Sequence, residues 1–335
     1  MKEYPFAPLV VEYRGDILDL THFGYLCIVD EHSRVLYSVG DPEAVVYYRS
    51  SSKPIQAIPV IQRGLDKKYG LTEEETVILA GSHVAEPFHV EALESILKKT
   101  GLKEETLIMK PTVPVAVSAN EERIRQGIGP RKLFHNCSGK HLALMMLQRE
   151  LGGKVEDYWK TDSLAQAEIR RTISVLAETD EIGVGVDGCG VPVFAVGMRH
   201  FAASYKNLAC IDTITDPGVR AGAAAFVPRI HEYPWMMRGT GYLCSLLNYD
   251  PNIVAKGGAN GAYGFGLKKQ RLGVAFKLAD GTEDVWPMIV AAVLKGLGCL
   301  TAATEERLDT LHPQYITNDN NTIVGRREVC FKVSI

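Results

Sequence analysis

The chain has 335 residues, 46% hydrophobic and 23% charged, a balance that supplies a large buried core. A net charge of -3 and an isoelectric point near 6.3, with no basic stripe in any segment, argue against a nucleic-acid-binding protein. No apolar run matches a secretory signal or a bilayer span, because the best candidates, 182–198 and 288–303, are glycine-rich and carry Asp187 and Lys295, so a cytoplasmic protein is expected.

In chain order, residues 9–13, 24–29, 34–38 and 44–48 read as strands rich in Val, Ile, Tyr and Leu. Polar turns at 30–33 and 40–42 separate them, which predicts an antiparallel meander. A helix is expected over 53–62, with Pro54 in its first turn. Thr72 and Glu75 form a capping box ahead of 76–80. Helical spacing then runs through 87–99, 121–126, 139–151 and 163–178. Residues 183–190 read as a glycine-rich turn, followed by helices at 217–230 and 241–247. Strands return at 253–256, 262–268 and 273–278, then a helix at 284–296 and a last strand near 329–333. Strands at both ends with helices between predict an α+β fold, in which N- and C-terminal segments share one antiparallel sheet. A single catalytic domain over 1–335, with a helical subregion at roughly 85–250, is the simplest organisation.

Seven cysteines, 27, 137, 189, 210, 244, 299 and 330, are odd in number and widely spaced. That argues against a disulfide framework and for buried free thiols.

Four segments concentrate functional side chains. In the first, Arg49 to Pro54, helical spacing places Ser50 and Lys53 on one face. A neutral, buried lysine can take the proton from a serine hydroxyl and make it a nucleophile. Ser51 and Ser52 lie too near Lys53 in sequence to share that face. The pattern recurs at Ser95 and Lys98, where it reads as a solvated helix face, so context must choose between the two matches. The second segment holds Ser82, His83 and Glu86 where a helix gives way to a loop; a loop Ser-His pair commonly bonds only its own backbone. The third, His135-Asn136-Cys137-Ser138-Gly139-Lys140-His141, opens a helix whose free N–H groups suit a carboxylate or an oxyanion. Cys137 and Cys189 together offer two thiolates to a metal, although neither sits in a Cys-x-x-Cys. The fourth, 256–266, has Lys256 followed by glycines on or beside an edge strand, where a substrate can approach the backbone closely; it lacks the Gly-Lys-Ser/Thr of a nucleotide loop.

Taken in this order, Arg49-Ser50-x-x-Lys53, Ser82-His83, Asn136 to His141, Asp187-Gly-Cys189-Gly-Val-Pro192 and Lys256-x-Gly258-Ala259-x-Gly261 resemble the rhizobial-type L-asparaginases, the L-asparaginase II family. The likeness runs through nearly the whole chain. It implies a fold related to serine β-lactamases, penicillin-binding proteins and serine-dependent glutaminases, and a homodimer. It also implies two serine–lysine tandems, Ser50 with Lys53 and Ser82 with Lys256, and a zinc ion held by Cys137, Lys140 and Cys189 with Asp187 close by. Arg49, His83, Asn136, Lys140, His141 and Asp187 are the expected substrate-binding side chains. Two positions depart from the family pattern: Asn260 stands where an acid is expected, and His135 where an asparagine is. The expected reaction is hydrolysis of L-asparagine to L-aspartate and ammonia, with no nucleic acid or membrane partner. The alternatives are a serine-dependent glutaminase or other amidase (a β-lactam-type acyl transferase included), and a non-catalytic ligand-binding module on the same fold.

Overall fold

The two ends of the chain build the sheet and its middle builds the helices, in a computed structural model that describes residues 5–311 and 314–335. Strands β1 (Ala7–Arg14), β2 (Ile17–Val29) and β3 (Val35–Val39) form the expected meander. The fourth strand leaves it. β4 (Val45–Tyr47) joins β5 (Gly183–Val186) and β6 (Pro192–Gly197) in a separate three-stranded sheet of order β4-β6-β5. Half of the expected glycine-rich turn is therefore strand, and the reversal itself is confined to the segment where Gly190 N–H bonds Asp187 O at 2.9 Å. From the C-terminal half come β7 (Ile253–Gly258), β8 (Ala262–Leu267), β9 (Leu272–Leu278), β10 (Tyr315–Thr317) and β11 (Ile323–Val329). The eight-stranded sheet runs β10-β11-β1-β2-β9-β8-β7 with β3 also on β2, every pairing antiparallel. The α+β architecture with a shared terminal sheet is as the sequence implied.

The last strand lies earlier than the expected 329–333. β11 is largely polar, with neither face fully covered, so it lacks the apolar alternation that marks a half-buried strand. Three helices lie outside the sequence expectations, Met198–Ala209, Leu65–Tyr69 and Ala302–Asp309. The first is buried almost all round, between β8 and β9 on one side and the helix Leu164–Ala177 on the other. Its apolar positions, Met198, Phe201, Ala202, Tyr205 and Leu208, do recur at helical spacing, which is the signal that could have found it.

That helix sits unusually low on the sheet because glycines face it. A Cβ at Gly266 would stand 2.0 Å from Tyr205 O, and one at Gly273 would stand 2.0 Å from Ala202 O. Gly266→Ala is therefore expected to destabilise the protein by about 1–3 kcal/mol or more through overpacking against backbone that cannot rotate away. Thermal unfolding measures it, and an unchanged midpoint would mean that the helix can lift at no cost.

The approach matters because Tyr205 reaches through to the end of the sheet that carries Lys256. Its hydroxyl donates to Ser51 O at 2.6 Å and lies 3.3 Å from Lys256 O, tying the segment before the first helix to β7. β7 is the sheet's edge, and the helix Leu243–Asn248 covers it. Asn248 exchanges two hydrogen bonds with Ala255, and Gly257 N–H donates to Cys244 Sγ at 3.1 Å. The exposed ladder that invites aggregation is closed this way.

Candidate active site

The helix Lys53–Gln62 begins where the sequence predicts, but Ser50 is not in it. Ser50 belongs to a tighter turn, Arg49–Ser52, that precedes the helix. The one-face argument for Ser50 and Lys53 does not carry across that junction, and the Lys53 amine points elsewhere. Lys53 is fully buried, and its Nζ donates to Ser82 Oγ at 2.9 Å, to Gly81 O at 2.8 Å and to Asn136 O at 3.2 Å. Lys256, equally buried, donates to the same Ser82 Oγ at 3.0 Å and to Gly257 O at 2.7 Å. Two amines thus flank one hydroxyl. No hydrogen bond of the Ser50 side chain to Lys53 is found among the described residues.

Ser50 is nevertheless close. Residues 48–50 lie on β7 where it carries no side chain: a Cβ at Gly258 would stand 2.4 Å from Tyr48 O and 3.0 Å from Ser50 N. Arg49 takes a left-handed backbone, φ 52°, which costs a non-glycine residue on the order of 1–3 kcal/mol and turns the chain sharply just ahead of Ser50. Its guanidinium lies 2.8 Å from Asp187 Oδ1, so Arg49 is engaged by an acid of the chain itself. Ser50 stays half-buried, whereas Ser82 is 1% exposed.

Burial governs the charge of both lysines. It lowers the Lys53 pKa, an effect that Cys137 opposes and Lys140 reinforces. Burial also pulls Lys256 down to about 8. Neutral amine is therefore within reach at each, the form a proton acceptor needs.

Behind Lys53 lies the third motif, at the start of the helix Ser138–Glu150. Lys140 Nζ is 3.2 Å from Cys189 Sγ. A hydrogen bond from Cys189 holds the Cys137 thiol well below its usual range, and the same bond with burial pushes Cys189 up. Burial opposes a charge on Lys140, but Cys189, Cys137 and Asp187 outweigh it and raise that pKa. No cluster of three or more His, Cys, Asp or Glu able to hold a metal exists among the described residues. The donor set is instead two thiols and one amine, of the nitrogen and sulfur type that zinc accepts, and Lys140 would have to shed its proton to join.

The two histidines face inward. His83 Nδ1 accepts from Ala85 N–H, so its Nε2–H is the donor to Ser138 Oγ at 2.7 Å. His141 Nδ1 lies 2.8 Å from the Tyr158 hydroxyl, and its Nε2 has no partner among the described residues. Burial lowers both imidazoles well below their usual range, which makes them neutral braces of the wall. Asn136 meets Lys53 through its carbonyl, and its Oδ1 is 3.3 Å from Cys137 Sγ. Of the departures, His135 Nδ1 accepts from Cys137 N–H at 3.1 Å, and Asn260 occupies a left-handed turn position, φ 59°, that asparagine tolerates well. Sequence reasoning missed Tyr205 and Cys244. Neither sits in a motif, and only the packing on β7 reveals them.

No curated protein sequence matches the chain. Among solved structures it is similar to a β-lactamase from Mycobacterium bovis, with 15% identity, 81% of this chain and 94% of that chain covered, and a TM-score of 0.41. It is also similar to a Bacillus glutaminase, with 11% identity, coverage of 82% and 91%, and a TM-score of 0.38. Both overlaps are loose. The family model for L-asparaginase II, by contrast, matches residues 10–329, nearly the whole chain and every segment described above, and the chain belongs to that family.

Proposed function

We propose that this protein hydrolyses the side-chain amide of L-asparagine to L-aspartate and ammonia, with Ser50 as nucleophile and Lys53, Ser82 and Lys256 as its proton relay. Family membership makes it a hydrolase acting on amides. The observation that supports the finer reading is the pair of buried lysines converging on one serine hydroxyl, beside a second serine that solvent can reach.

In this reading Ser50 Oγ bonds to the amide carbon while its proton passes to neutral Lys53, a contact not made here that substrate binding brings about. In the same reading the Ser50 N–H, for which no backbone acceptor is found among the described residues, holds the oxyanion. The C–N bond breaks as the relay returns the proton, and ammonia leaves. Water then adds to the ester, the Ser50 Oγ–carbon bond breaks, and aspartate departs. Arg49, held by Asp187, presents positive charge for the substrate carboxylate. Cys137, Cys189 and Lys140 would hold zinc, which supplies a fixed positive charge beside the site. The reading also includes one catalytic unit, a homodimer and a cytoplasmic location; no helix among the described residues is long and apolar enough to cross a membrane.

A second reading, Ser82 as nucleophile, is favoured by its two amine partners and opposed by its burial. Rapid quenching with asparagine followed by peptide mass analysis distinguishes them: an aspartyl ester on the peptide containing Ser50 is expected, and one on Ser82 reverses the roles. Ser50→Ala is expected to abolish turnover while chelation only lowers it. Parallel ammonia assays with glutamine decide the amide preferred. For pH, Lys256 is protonated below about 8 and free above it. Turnover is therefore expected to rise as pH increases through that value, and Lys256→Arg, which stays charged, to lose that limb. A flat profile would mean that Lys256 does not titrate in the rate-limiting step.

A further inference from the structure

Across β7 from Lys256 lies a cavity of about 420 Å³ that the proposed reaction does not use. Its volume falls in the small-molecule range, roughly 300–1,000 Å³. Successive residues of a strand face opposite sides of a sheet. A side chain at Gly258 would run into Arg49 and Ser50, whereas one at Gly257 would meet the Trp286 ring at 2.6 Å. Gly257 and Trp286 both line the cavity, so it opens on the face away from Ser50.

Four charged side chains line it, Arg238, Arg327, Glu283 and Asp284, and Arg327 is engaged by Glu12. Arg238 stacks over the Tyr242 ring at 5.3 Å, and its hydrogen-bonding partner among the described residues is Glu283, at a loose 3.4 Å. That leaves guanidinium N–H groups able to take a carboxylate in a fork. Glu283 is 42% exposed and offers its other oxygen to an ammonium group. Trp286, Leu243 and Pro287 supply apolar surface for a short side chain.

We propose that this cavity is a second binding site, separate from the Ser50 site, for a free α-amino acid, its carboxylate on Arg238 and its ammonium on Glu283. The wall is tied to the site behind it. Gly257 O accepts from Lys256 Nζ, Gly257 N–H donates to Cys244 Sγ, and Met237 O, one residue before Arg238, accepts from Ser82 N–H at 2.8 Å. Arg238 and Glu283 also act on Lys256, Arg238 lowering its pKa and Glu283 raising it. An amino acid bound here therefore bears on the Lys256 side of the relay.

Calorimetric titration of the full chain with L-aspartate tests the site, with succinate as the probe that lacks the ammonium. The expected result is a binding event that succinate does not reproduce and that Arg238→Gln and Glu283→Gln each weaken about tenfold or more, the loss of one charge-assisted contact. Turnover of asparagine by both variants, measured well above pH 8 where Lys256 is already neutral, should stay within about threefold of the unaltered protein, since neither side chain contacts Ser50 or Ser82. Aspartate binding that neither variant weakens overturns the proposal, as does equal binding of succinate. Loss of turnover in both variants overturns it too, because the cavity would then be the substrate's own path. The binding arms require no catalysis, so their failure is distinct from failure of the asparaginase reading.

Discussion

Lys53→Met should leave a folded protein whose ammonia release from asparagine is lower by about 10²–10⁴-fold, the usual contribution of a positioned proton acceptor. The side chain is fully buried, and methionine has similar length and shape, so the packing around it is kept. What disappears is the amine that joins Gly81 O, Ser82 Oγ and Asn136 O. Those acceptors are left short of a donor, at a cost on the order of 1–3 kcal/mol in stability. A kcat loss with an unfolding midpoint only modestly lowered separates lost chemistry from lost structure. If Lys53→Met kept its turnover, the relay would have to run without this lysine.

Gly258→Ala is the second large effect expected. The added methyl would lie 2.4 Å from Tyr48 O and 3.0 Å from Ser50 N, and both are backbone atoms that no rotamer change relieves. The turn Arg49–Ser52 must then lift off β7, against the Tyr205 hydroxyl that holds Ser51 O. A displacement of about 1 Å at the proposed nucleophile costs roughly 10²-fold in rate, and kcat should carry most of that loss. The sheet itself should survive, because β7 keeps its pairing with β8 from Ile253 to Lys256. Wild-type kcat in this variant would place the reacting hydroxyl away from Ser50.

How much of this was legible beforehand depended on the range of the interaction. The capping box of Thr72 and Glu75 forms as read, because both partners lie within one turn. The helix Lys53–Gln62 has the expected bounds, set by a proline that fits a first turn. The pairing of Ser50 with Lys53 was a local inference of the same kind, and here it met a change of helix type at Ser52 that spacing does not report. Arg49 is among the expected substrate-binding side chains, and its ion pair with Asp187, 138 residues away, is a feature that only the folded chain shows.

By itself the sequence determined the alternation of strands and helices, the terminal sheet and the set of segments rich in reactive side chains, because apolar period and turn chemistry act within a few residues. The tertiary structure decided which of those segments meet. Lys256 reaches Ser82 across 174 positions, and Lys53 arrives from another element to bind the same oxygen. It also decided the charge of both amines, since that depends on how much water is left around them, and periodicity says which face is buried but not what it is buried against.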